Sequence, residues 1–216
     1  MSIKQSIKNI IKSTSVYRFY LHRQHRKGDK IETMLNAKVR GPLMAKYLPP
    51  NGIGAELGVL KGNFSPVLFQ YSQARELHLI DPWYFYTSHW DWAGGNTSTV
   101  DALRKVLLEN KQLINQKRVF VHVQDDLQAL LTFPDAYFDW VYIDSSHAYE
   151  HTQNELQILL TKVKSSGIIC GDDWQPNPSH RHHGVYKAVT EFMQLHNFEI
   201  IYADTQNLQW FIKRKI

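Results

Sequence analysis

The chain of 216 residues has the length of one ordinary domain, enough for a substantial apolar core and short for two. Hydrophobic residues make up 43% and charged residues 21%, which excludes a disordered chain, while a single cysteine excludes an internal disulfide framework and fits a reducing, cytoplasmic setting. The net charge of +5 is local: residues 1–40 hold ten Lys and Arg against Asp29 and Glu32, which leaves the rest of the chain net acidic and without the basic face that nucleic-acid binding needs.

Taken in order, Ile3, Ile7, Ile10, Ile11 and Leu21 recur at near-helical spacing with Lys4, Lys8 and Lys12 between them, predicting a basic amphipathic helix over residues 3–21. Such a helix suits a peripheral membrane contact, or packing on the domain or on a second copy in a homo-oligomer. No run approaches the ~18 apolar residues of a membrane span. A second helix is predicted over Glu32 to Tyr47, ending before Pro49-Pro50 because proline disfavours helix in the residue before it. Residues 1–48 thus read as an N-terminal basic helical extension, and 49–216 as the catalytic domain.

From Asn51 onward, short apolar runs alternate with helical stretches, the pattern of βαβ units. Strands are predicted at Gly54–Gly58, Leu77–Asp81, Val119–Val123, Trp140–Asp144, Gly167–Gly171, Glu199–Tyr202 and Gln209–Ile212. Helices are expected near Asn63–Tyr71, Val100–Asn110, Leu127–Leu131, Tyr149–Val163 and Val185–His196. The fold class is α/β: a Rossmann-like, doubly wound, seven-stranded and mostly parallel sheet. Its last two strands, too close for a crossover helix, pair as an antiparallel hairpin at one edge.

In Gly54-Ala-Glu-Leu-Gly58-Val-Leu-Lys-Gly62-Asn-Phe-Ser65 an apolar strand runs into a glycine turn and a helix, a geometry that lets a ligand approach the backbone and free amides. No Gly-Lys-Ser/Thr follows, and the GxGxxG spacing of nicotinamide-dependent oxidoreductases is not met. Asp81 closes the second strand, where a carboxylate is placed to accept ribose hydroxyls. Asp125 follows the third strand, as an adenine contact or as the cap of the next helix. Acids also close the fourth and fifth strands, at Asp144 and at Asp172-Asp173. Carboxyl ends of parallel neighbours share one edge of a sheet, so these carboxylates can converge, and crowded oxygen ligands call for a hard divalent cation unless they serve as caps or pair with lysines.

Glu56, Gly58 and Gly62 resemble the first motif of class I S-adenosylmethionine-dependent methyltransferases. The resemblance implies that Glu56 orients the amino-acid part of the cofactor, that Gly58 leaves room for it, and that Ser65, Asp81, Asp125 and Asp144 complete the cofactor site. The 28-residue separation of Asp144 from Asp172, together with Glu155, the stretch Gly184–Phe192 and Ser146-His147-Ala148-Tyr149, resembles the bacterial metal-dependent O-methyltransferases of sugars and glycosylated natural products, over roughly residues 51–213. That implies Mg²⁺ on Asp144, Asp172 and Asp173, assisting methyl transfer to a hydroxyl of a saccharide or glycosylated small molecule. The sequence departs from this group at Ser146, where sugar-modifying relatives often carry an acidic base. His147 is the candidate base instead, its imidazole titrating near neutrality, with a structural role as the alternative. The aromatic loop over residues 82–95 and the segment Gln175–His183, with Arg181, are candidates for acceptor contact. A same-fold hydroxylase of a small-molecule scaffold and a catalytically silent binding module are the competing expectations.

Overall fold

The computed structural model describes the backbone of residues 15–83 and 98–215, and the side chains of residues 27–83 and 99–215. The helix expected at 3–21 and most of the aromatic loop therefore lie largely outside the described residues. In chain order the elements are α1 (Ser15–Val39), α2 (Gly41–Tyr47), β1 (Ile53–Leu57), α3 (Ser65–Tyr71), β2 (Glu76–Asp81), α4 (Ser98–Glu109), α5 (Lys111–Asn115), β3 (Val119–Val123), α6 (Asp126–Thr132), β4 (Phe138–Ile143), α7 (Tyr149–Lys162), β5 (Val163–Gly171), α8 (His183–Leu195), β6 (Phe198–Asp204) and β7 (Gln209–Arg214).

The seven strands form one sheet in the order β3-β2-β1-β4-β5-β7-β6. β7 alone runs opposite, slotted antiparallel between β5 and β6. The expected hairpin is thus present, with its second strand the inner one. β1 pairs with β2 on one side and β4 on the other, so successive crossovers turn opposite ways from this point. Ligands of open α/β sheets bind at the carboxyl ends beside such a switch point.

Strand alternation divides the core between the two faces. On β4, Trp140 and Tyr142 face one layer, with Met44, Leu68 and Val106 from α2, α3 and α4. Val141 and Ile143 face the other, with Leu130, Leu156 and Phe192 from α6, α7 and α8. α8 buries Val185, Ala188, Val189 and Phe192, the i, i+3, i+4, i+7 stripe of an amphipathic helix. Each valine or phenylalanine of the stripe removed from water stabilises the fold by about 1.5–3 kcal/mol before its entropy cost.

The helix expected over 32–47 is two helices. Pro42 in the first turn of α2 breaks the run, and Gly41 sits so close to the Tyr71 ring that a β-carbon would lie 2.8 Å from it. α5, with no apolar stripe in Lys-Gln-Leu-Ile-Asn, had no predicted counterpart.

Candidate active site

A cavity of about 440 Å³ opens at the switch point, a size that suits a cofactor-scale ligand. Its floor is the turn after β1. Gly58 has φ +82°, and a β-carbon there would stand 2.1 Å from the carbonyl oxygen of Asp144. This glycine is required by the approach of two strand ends, because any side chain would drive the turn off β4. Gly62, at φ +66°, instead faces Val106 of α4 and does not line the cavity.

Asp81 braces the same turn. Its Oδ2 accepts the amides of Val59 (3.0 Å) and Leu60 (2.9 Å), and its Oδ1 accepts that of Trp83 (2.8 Å). Trp83, fully buried, donates its indole N–H to the Leu60 carbonyl at 2.8 Å. The amides of the turn itself are largely spent within the protein, since Gly58 also donates to Ile80 and Gly62 to Val59. A carboxylate offers about four acceptor positions, so Asp81 retains one toward the cavity it lines.

Glu56 is buried at the cavity wall, with the Ser65 hydroxyl donating to it at 2.5 Å. Burial holds its carboxyl well above the usual range, against the Ser65 bond and with the charges of Asp144 and Asp81 adding to the rise. Asp144 is pushed up to about 7, first by burial and then by the charge of Asp172. Glu56, Asp81 and Asp144 thus form an acidic wall, each carboxyl raised chiefly by its burial and Glu56 further by the charges of the other two, the complement of a cationic ligand. Asp125 is the N-cap of α6, accepting the Gln128 amide at 3.2 Å, and it does not line the cavity.

The far side of the cavity is a charge cluster. His147 Nδ1 and His182 Nδ1 approach the same oxygen of Asp173, at 2.6 and 2.7 Å, and the two imidazoles stack at 4.7 Å and 10°. His147 and Asp173 both sit at left-handed backbone angles, φ 57° and 64°, a conformation rare outside glycine and held here by the surrounding structure. Burial opposes a charge on His147, but the bond to Asp173 and the charges of Asp144 and Asp173 outweigh it, so its pKa is raised. Burial would raise Asp173, yet the two imidazoles carry it below the ordinary carboxylate range. Ser146, one residue before His147, is exposed.

Asp172 has a different partner. Arg40, one residue beyond α1, places its guanidinium 2.7 Å from Asp172 Oδ2. Asp172 Oδ1 accepts Gln209 Nε2 (2.8 Å) and the Asp173 amide (2.9 Å). Burial raises the pKa of Asp172 in spite of Arg40. The expected oxygen-only metal set of Asp144, Asp172 and Asp173 therefore does not fit Mg²⁺ as it stands. Asp172 is held by a fixed cation and two N–H donors, so an ion at its remaining position would meet the Arg40 charge, Asp173 is engaged by two imidazoles, and Asp144 alone is too few oxygen ligands. Among the described residues, the donor groups within 4.8 Å of one another are His147, Asp173 and His182, and separately Asp126, His151 and Glu155. In the second group Glu155 accepts the Ser145 hydroxyl (2.6 Å), and His151 pairs with Asp126 (2.9 Å).

Arg40 is a site residue that the sequence reading did not single out, whereas His182 lies in the segment Gln175–His183 expected to contact the acceptor. α1 is strapped across the glycine turn: Thr33 donates to the Asn63 carbonyl at 3.0 Å, and Asn63 donates to Glu32 at 2.8 Å. Lys105 reaches both Asn63, at 2.5 Å, and Asp29, at 3.6 Å. Of the aromatic loop only Pro82 and Trp83 are described, and Trp83 is buried as a brace of the turn.

Residues 55–174 match a family model described as a methyltransferase domain. Among solved structures, SAH-bound methyltransferase PaMTH1 of Podospora anserina superposes with a TM-score of 0.54 at 14% identity, covering 88% of this chain and 78% of that one. The ribosomal protein L11 methylase of Lactobacillus delbrueckii subsp. bulgaricus gives 0.52 at 14% identity, covering 86% and 77%. The protein PH0851 gives 0.58 at 10% identity, covering 82% of this chain but 45% of that one. At such identities the likeness is one of fold. The chain spans about half the length of the first solved structures that it matches, 45% and 57%. No curated protein matches it.

Proposed function

The chain belongs to the methyltransferase-domain family, and we propose that it transfers the methyl group of S-adenosylmethionine to a hydroxyl oxygen of a saccharide or other small-molecule acceptor. The observation that carries this reading is the acidic wall of Glu56, Asp81 and Asp144 around a cavity at the switch point. A ligand bearing a sulfonium and an ammonium supplies the positive charge those buried carboxyls lack, so the residues present fit this cofactor. In this reading Glu56, held by Ser65, faces the ammonium. Asp81 would take a ribose hydroxyl at its remaining acceptor position, and Asp144 would complete the cofactor site.

S-adenosylmethionine, when bound, supplies an electrophilic methyl carbon, so transfer needs little beyond an oxygen nucleophile held in line. His147 is the base. Its Nδ1 is held by Asp173, which fixes the ring, and its Nε2 takes the acceptor's proton as the oxygen lone pair forms the new bond to carbon and the carbon–sulfur bond breaks, its electron pair staying on the departing thioether sulfur. Asp173 stabilises the imidazolium so formed. Asp172 and Asp173, carboxylates expected to hold Mg²⁺, are engaged by Arg40, Gln209, His147 and His182 instead.

Isothermal titration with S-adenosylmethionine and its demethylated product tests the cofactor part directly. One binding site is expected, weakened at least about tenfold in Glu56→Gln, a loss near 1.4 kcal/mol. Absence of any heat with either compound overturns the reading. Transfer of labelled methyl groups to a panel of glycosides and phenols then tests the acceptor class. Hydroxylation of those compounds without label transfer would favour the same-fold hydroxylase instead.

A further inference from the structure

We propose that Arg40 is the built-in cation of this site, standing where the acid-rich strand ends would otherwise hold a divalent metal ion. The inference rests on the methyl-transfer reading for its purpose, though not for its geometry. Three carboxylates, Asp144, Asp172 and Asp173, are gathered at the ends of β4 and β5, and a fold that gathers them must supply positive charge. A metal is one solution.

Here the charge comes from the other end of the chain. The Arg40 guanidinium lies 2.7 Å from Asp172 and 3.5 Å from the Tyr142 hydroxyl, with its carbon 5.4 Å from the centre of the Phe64 ring. Asp172 and Asp144 both favour its charged form. Arginine suits this task, since its guanidinium stays protonated, is weakly hydrated, and can stack on a ring while donating in its own plane. Both oxygens of Asp172 are engaged in this arrangement, and a metal ion brought to Oδ2 would stand against the Arg40 charge that is already 2.7 Å from it.

The position is also built rather than incidental. Thr33, Asn63, Glu32, Asp29 and Lys105 tie α1 to the glycine turn, and this fixes where the chain emerging from α1 delivers its arginine. Arg40 lines the same cavity as Asp144 and His147. With an acceptor seated between them, guanidinium N–H groups not used by Asp172 face the oxygen on which negative charge develops as its proton passes to His147. This is electrostatic assistance of the kind a metal would give, supplied without one.

The test is Mn²⁺ uptake by the full chain, followed by the loss of the free-ion signal in electron paramagnetic resonance. It needs no acceptor and no turnover. Wild type and Arg40→Lys, which keep the charge, are expected to leave Mn²⁺ free at concentrations where Arg40→Ala takes up about one equivalent. Adding Asp172→Asn to Arg40→Ala is expected to abolish that uptake. Stoichiometric uptake by wild type that Asp172→Asn removes would overturn the proposal, as would failure of a folded Arg40→Ala to bind the ion. Thermal melting of each variant establishes that it is folded. Titration with S-adenosylmethionine, run in parallel, separates the two ideas: a wild type that ignores that compound sinks the methyl-transfer reading, while the Mn²⁺ result still decides what Arg40 replaces.

Discussion

Replacing Asp144 by asparagine should make the fold more stable, and the gain should depend on pH in a defined way. The carboxyl of Asp144 is pushed from its ordinary 3.8 to about 7, because burial and the charge of Asp172 outweigh the attraction of His147 and Arg40. For an acid whose folded pKa is raised, the unfolded chain releases its proton first. The penalty is absent below about 3.8, grows as pH rises, and is complete above about 7. A shift of that size corresponds to about 4 kcal/mol at 1.36 kcal/mol per pH unit. Asp144 keeps part of its surface open to the cavity, where water screens the charge, and this sets the expected gain at about 2 kcal/mol. Asparagine preserves the shape and removes the charge, so thermal melting of Asp144→Asn should run roughly 4–8 °C above wild type at pH 8. At pH 4.5 the difference should shrink to roughly 2 °C or less by the same scaling. An equal gain at both pH values, or a loss at pH 8, would refute the electrostatic account. Saturating S-adenosylmethionine should narrow the gap by stabilising wild type more than the variant.

Gly58→Ala should destabilise the protein by about 3 kcal/mol or more, read from chemical denaturation, because the new methyl meets a backbone carbonyl that cannot step aside and the backbone angle is left-handed. Asp125→Ala should lower stability by about 1 kcal/mol through loss of the α6 cap. Calorimetric affinity for S-adenosylmethionine should stay within about twofold in that variant, a difference of under half a kcal/mol, and a larger loss would restore Asp125 as a cofactor ligand. An NMR titration of the His147 ring should give a midpoint above the ordinary 6.5, falling in Asp173→Asn. By linkage, the stability drawn from the raised His147 is complete below about 6.5 and lost as pH climbs through the raised value. That from Asp173 is complete above about 3.9 and lost as pH falls through its depressed value. The destabilisation caused by Asp173→Asn should therefore be larger at pH 6 than at pH 9, which urea melts at the two values would show.

The sheet was legible because its strands carry their own signal. Apolar runs such as Trp140-Val-Tyr-Ile143 end in acids, and their spacing leaves room for a crossover helix between successive parallel strands. What escaped was of two kinds. α5 has no apolar stripe, and its five residues are closed by backbone bonds such as Ile114 to Asn110, which leave no trace in composition. The break at Arg40 was written in Gly41-Pro42, although the helical pattern on both sides masked it. The carboxylates of the site were readable from their places at strand ends. Their partners were not, since a salt bridge from Arg40 to Asp172 or an imidazole contact from His182 to Asp173 depends on how distant segments are brought together. Asp81 was correctly located and more heavily used than its position suggested, because three amides of a tight turn converge on it.

The bond between Arg40 and Asp172 joins points roughly 130 residues apart, and closing so long a loop is a slow, entropically costly event. As the polypeptide leaves the ribosome, the glycine turn and the first strands are made well before β5 exists to offer its aspartates. The charge cluster around Arg40 must therefore be among the last features the nascent protein completes, and a molecule stalled before β5 emerges would own the glycine turn without the aspartates that face it.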